Sequence, residues 1–166
     1  MVEVMGYKYW ASIAASIILG IILVTAGLGK LPSQGEFLDI LIFQLLVPPI
    51  PPTLAFNIVY SLPWIELVCG SLLIIGVVTK LMASVSTVLI IGFIVNNSWM
   101  IATGRGRESC GCFGVLEDFF GTLAPTTTLY MDIGMLALAL VILFYYPGKF
   151  FTARPWFLGK DKGAAK

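Results

Sequence analysis

The sequence contains no histidine. That excludes His-based zinc sites, His-ligated haem and every Ser-His or Cys-His catalytic pairing. Charge is scarce too: Asp, Glu, Lys and Arg make up 11% of the 166 residues, against about 25% in an ordinary soluble domain. With a net charge of +1 nothing in the charge balance suggests a nucleic-acid partner. Three cysteines are too few for a disulfide scaffold but enough for one redox pair. Against these shortages stands a hydrophobic fraction of 58%. So short a chain cannot hide that much apolar surface in one water-soluble core. Composition therefore predicts a single membrane domain over residues 1–166.

A helix crossing the roughly 30 Å hydrocarbon layer needs about 20 mainly apolar residues. Four stretches qualify: residues 10–29, 58–79 with Glu66 inside, 81–103 with Asn96 and Asn97, and 125–146 with Asp132. Pro125 suits a first helical turn, and Pro147-Gly148 is a stop signal. The first run exceeds a typical signal-peptide core, so it is expected to stay as a helix. Residues 36–47 are apolar but short and end in Pro48-Pro49-Ile50-Pro51-Pro52. They read as an interfacial amphipathic segment, or equally as a loop helix packed on the bundle. Thr79-Lys80 is expected to be the turn that joins spans two and three as an antiparallel hairpin. The expected fold class is an all-α integral membrane four-helix bundle.

Four spans place both termini on one side. Lys8, Lys80, Lys149, Arg154, Lys160, Lys162 and Lys166 fall there, and Lys30, Arg105 and Arg107 on the other. The excess predicts a multi-pass protein of the cytoplasmic membrane with both termini and the tail 147–166 in the cytoplasm. The loop 104–124 then faces outward.

That loop carries Cys110-Gly111-Cys112-Phe113-Gly114. Two cysteines one residue apart can close a small strained disulfide, and strain makes a bridge easier to reduce. Arg105 and Arg107, if near in space, would favour the reactive thiolate. Three readings stay open: a redox-active pair, a static staple, and a soft-metal or sulfur carrier completed by a partner. So short a loop gains little as a staple, and no metal site is expected from this chain alone. Cys69, in span two, reads as a small core residue.

Intramembrane acids are rare and costly. From the assumed span starts, Glu66 lies about 12 Å or less from the outer end. Asp132, Asn96, Asn97, Thr25 and Thr126–128 fall in the same outer half, while the inner halves read as nearly pure hydrocarbon. One reading is an outward-open polar pocket beneath the cysteine loop, with Asn96, Asn97, Thr126 and Asp132 as cofactor-binding candidates. The other is that Glu66 and Asp132 are interhelical polar glue.

Lys30-Leu31-Pro32 after span one, Leu62-Pro63-Trp64-Ile65-Glu66 with Gly70 in span two, and Cys110-Gly111-Cys112-Phe113-Gly114 before span four resemble the MauE branch of the DoxX-like membrane proteins. The resemblance covers about residues 10–146 and implies extracytoplasmic thiol–disulfide chemistry beside a thioredoxin-like partner. The MauE branch is associated with maturing the disulfide-rich subunit of methylamine dehydrogenase. The wider group includes a membrane subunit of a thiosulfate:quinone oxidoreductase, so a quinone is the candidate cofactor. On this chain the resemblance makes Cys110 and Cys112 the redox pair and Glu66 the matching intramembrane acid, together the catalytic candidates.

The leading expectation is a thiol–disulfide oxidoreductase passing electrons between that partner and a membrane carrier. The alternative is a non-catalytic subunit of a larger respiratory, photosynthetic or maturation complex, anchored in lipid by Trp10, Trp64, Trp99, Tyr145, Tyr146 and Trp156. A solute transporter is disfavoured by the apolar inner halves.

Overall fold

The computed structural model describes residues 2–32, 34–35, 38, 52–104 and 124–146. Four long helices account for nearly all of them: α1 Val2–Lys30, α2 Pro52–Ile75, α3 Thr79–Ala102 and α4 Pro125–Tyr145. Among the described residues there is no strand. In hydrocarbon every backbone N–H and C=O needs a partner within its own segment, so long apolar runs become helices. Each helix has a stretch long and apolar enough to cross a membrane: Tyr9–Lys30, Phe56–Ile75, Thr79–Ala102 and Pro125–Tyr145. The chain is thus an all-α membrane bundle. The expected interfacial segment (Leu38 apart), the cysteine loop and the C-terminal tail lie outside the described residues.

The helices form a ring in chain order. α1 packs most extensively on α2, and α3 on α4; α1 also meets α4, and α2 meets α3. The α1–α2 contact is close because both helices carry glycine where they cross. A Cβ on Gly20 would lie 2.7 Å from the Gly70 carbonyl, and one on Gly70 would lie 2.7 Å from the Gly20 carbonyl. Small residues let transmembrane backbones approach in this way, which gains dispersion contacts where lipid supplies no hydrophobic drive. The core below the crossing is apolar, with Leu19, Leu23, Leu73, Ile90, Ala139 and Ile142 fully or almost fully buried. Large apolar side chains such as Val88, Tyr130 and Phe144 face outward, as lipid contact requires.

One local feature departs from the sequence expectation. The α2–α3 turn falls at residues 76–78, and Thr79 already begins α3. Gly76 (φ 80°) and Val78 (φ 51°) supply the reversal, while the Gly76 and Val77 N–H groups donate to the Leu72 carbonyl. Pro63 sits inside α2, as the expected span 58–79 places it. Proline removes one backbone donor there, but the helix continues through it. Glu66 lies ten residues, about 15 Å, from the start of the apolar stretch at Phe56.

Candidate functional site

Four polar side chains, one from each helix, lie buried in one half of the bundle. Lys30 ends α1, Glu66 is on α2, Asn97 on α3 and Asp132 on α4, and all four are fully or almost fully buried. It is the half where α3 ends and α4 begins, so the chain between them, with Cys110 and Cys112, leaves from this end.

Lys30 reaches the site because Gly27, one turn earlier, lets α1 lie against α2. A Cβ on Gly27 would sit 2.9 Å from the Pro63 carbonyl and 3.3 Å from Glu66 Cβ. From that approach the Lys30 ammonium donates to Glu66 Oε1 at 2.6 Å. The same ammonium lies 4.5 Å from the centroid of the Phe93 ring on α3. A desolvated cation over an aromatic face gains about 2 kcal/mol. Lys30 is also close enough to Asp132 for its charge to act on that carboxylate. One ammonium thus addresses the three other helices at once.

The second pair joins α3 to α4: Asn97 Nδ2 donates to Asp132 Oδ2 at 2.7 Å. Neither pair uses all its atoms. Glu66 Oε2 and Asn97 Oδ1 are buried with no hydrogen-bond partner among the described residues. A buried acceptor without a donor is costly, so both atoms are set to receive one.

The remaining residues that the sequence suggested for the site fall elsewhere. Asn96 is half-buried and places Nδ2 4.0 Å from Met100 Sδ. Thr126 is exposed, because the inward face of α4 runs through Pro125, Thr128 and Asp132 instead. Thr128 donates to the Pro125 carbonyl at 3.1 Å, and Thr25 is exposed and bonds only to its own helix. Cys69 is buried in the apolar core. Cys110 and Cys112 lie outside the described residues.

Two features escape a reading of the sequence alone. Lys30 counts there with the loop, yet it continues the inward stripe of Leu19, Leu23, Ala26 and Gly27 at three- and four-residue spacing. That spacing is the signal that could have found it. The opposite half of the bundle is also less purely hydrocarbon than expected, because Ser12, Ser16, Thr79 and Ser86 are buried there. Ser12 and Ser16 bond to their own helix, whereas the Thr79 and Ser86 hydroxyls have no partner among the described residues.

No solved structure matches the chain. It is 32% identical over 98 residues to the methylamine utilization protein MauE of Methylophilus methylotrophus, a match covering 59% of this chain and 50% of that protein. The chain thus spans about half the length of that relative. The family model of methylamine utilisation protein MauE matches residues 8–145, which takes in all four helices and the cysteine segment. This chain belongs to the MauE family of membrane proteins.

Proposed function

We propose that the chain is a membrane thiol–disulfide redox protein in which Cys110 and Cys112 exchange with an extracytoplasmic thioredoxin-like partner. The observation that carries this reading is the buried Lys30–Glu66 and Asn97–Asp132 cluster, at the end of the bundle from which the Cys110-Gly111-Cys112 segment leaves. Exchange between a dithiol and a disulfide runs through a mixed disulfide after thiolate attack. In one direction the partner's two thiols become a disulfide, and the Cys110–Cys112 disulfide becomes two thiols. Reoxidation then releases two electrons and two protons, which a two-electron carrier of the quinone class takes up to form a quinol. The reverse sequence consumes the same two electrons and two protons.

Such a reaction needs titratable groups at the cysteine end of the bundle, and Glu66 and Asp132 are those groups. Glu66 Oε2, which lacks a donor among the described residues, suits the hydroxyl of a reduced carrier. The charge bias between the two sides supports cytoplasmic termini and an outward cysteine loop. Likeness to a methylamine utilization protein supports a place in methylamine utilisation.

Labelling tests the reading. A membrane-impermeant maleimide is applied to intact cells across a series of thiol–disulfide buffers. Cys110 and Cys112 should label from outside only after reduction, and Cys110→Ser should abolish partner turnover. Labelling only from the cytoplasmic side, or full turnover in the double cysteine variant, refutes it. The latter result, with copurification in a large assembly, makes the chain a non-catalytic subunit.

A further inference from the structure

From the four buried side chains, we infer that Asp132 is a proton-binding site. It holds the one proton that brings the Lys30–Glu66–Asn97–Asp132 cluster to zero net charge, with the Asn97 amide as its reversible partner. The inference stands on those side chains alone and does not depend on the cysteines being redox active.

Within the cluster two carboxylates face one ammonium, Lys30. Fully ionised, the four side chains carry one net negative charge, which no further cation among the described residues is shown to balance. Such a charge is neutralised rather than left buried. Uptake of a single proton does this.

Geometry selects the carboxyl that takes it. Glu66 accepts a charge-assisted bond from Lys30 at 2.6 Å, which favours its ionised form. Asp132 accepts from the neutral Asn97 amide at 2.7 Å and feels Lys30 only at longer range. The charged groups facing Asp132 are thus Lys30 from α1 and, beyond it, Glu66 from α2, while α3 offers Asn97. The proton belongs on Asp132, the acid without a direct cationic partner among the described residues.

Asn97 is fitted to both states of that acid. Its Nδ2 donates to Asp132, while its Oδ1 is buried with no partner among the described residues. Carbonyl and amine ends of an amide exchange places by a half-turn about the last side-chain bond. With Asp132 ionised, Nδ2 is the correct end to present. With Asp132 protonated, Oδ1 is correct, since it then accepts the new O–H. One amide therefore serves both states, and the orphaned Oδ1 gains a donor when the proton arrives. Among the described residues no group of three or more Asp, Glu or Cys side chains is placed to hold a metal ion, so the donor set suits a proton better than a divalent cation.

The test is infrared spectroscopy of the purified full chain in lipid nanodiscs. At neutral pH a protonated-carboxyl C=O band is expected. It should move when aspartate is labelled with carbon-13 and stay when glutamate is labelled. It should vanish in Asp132→Asn and shift in Asn97→Ser, which removes the amide that bonds the acid. Isotope labelling of the unaltered chain decides the matter even where Asp132→Asn fails to fold. Absence of the band at neutral pH overturns the inference. So does a band that follows glutamate labelling, which moves the proton to Glu66. A band abolished by sodium at constant pH also overturns it and makes the occupant an alkali cation. None of these readings involves cysteine, so failure here and failure of the labelling experiment are distinct.

Discussion

The Lys30–Glu66 pair gives a quantitative test of the site. Lys30→Met keeps most of the side-chain volume and removes the charge. Glu66 then stays inside the bundle without its 2.6 Å partner, and Asp132 loses the same cation. Removing one member of a buried ion pair costs about 3–5 kcal/mol, because the remaining charge is uncompensated. Glu66→Gln strands the ammonium and belongs in the same range. The cost of the pair of changes differs from the sum. Replacing both members leaves no stranded charge between them, and such replacements are often close to neutral. A double-mutant cycle of Lys30→Met and Glu66→Gln should therefore show a coupling of about 2 kcal/mol or more. Suitable measurements are equilibrium unfolding in mixed micelles of mild and denaturing detergent, followed by circular dichroism, and thermal melting in nanodiscs. Additive single and double variants, agreeing to within about 0.5 kcal/mol, would show that the ammonium and carboxylate are not directly paired in the bundle. Single variants each costing under about 1 kcal/mol would show that the pair is solvated, against the 1% and 0% exposure of the two side chains.

Other perturbations address the frame around the site. Gly70→Ala places a Cβ 2.7 Å from the Gly20 carbonyl and 2.8 Å from Val24 Cγ2. The helices must separate, at a cost of about 1–3 kcal/mol, read as a lowered melting temperature, while Gly92→Ala, where a Cβ meets nothing within 4 Å, should be near neutral. Val78→Gly should stabilise the turn by about 1 kcal/mol or less in the same assay, since a β-branched residue at φ 51° is strained. Cys69→Ala should leave maleimide labelling of the remaining cysteines and their redox titration unchanged, because Cys69 belongs to the apolar core.

Much of the frame is legible from residues. Long, mainly apolar runs specify the four helices, because lipid admits no other local solution for a lone segment. Pro125 marks the start of α4. Boundaries in α2 are harder to read. The apolar run suggests a start near residue 58, whereas the helix begins at Pro52 and runs through Pro63. Asn97 and Asp132 are visible as intramembrane polar residues, whereas their pairing is not, since it depends on how α3 and α4 face each other. Lys30 is the instructive omission. A lysine at the end of an apolar run is ordinarily counted with the water-facing loop. Here its inward register and the missing side chain at Gly27 turn it into the bundle. The buried hydroxyls Thr79 and Ser86 escape notice for a similar reason: serine and threonine are common in transmembrane helices, and their orientation depends on packing.

A three-residue turn joins α2 to α3. Of the two polar pairs, Lys30–Glu66 joins α1 to α2 and Asn97–Asp132 joins α3 to α4. A slip of one helical turn, about 5.4 Å, would separate either pair. The pairs therefore specify register where apolar packing alone would tolerate alternatives, a role best attested for buried polar groups in coiled coils. Lys30 adds a link between the two halves so formed, since it stands over Phe93 of α3 while bound to Glu66 of α2.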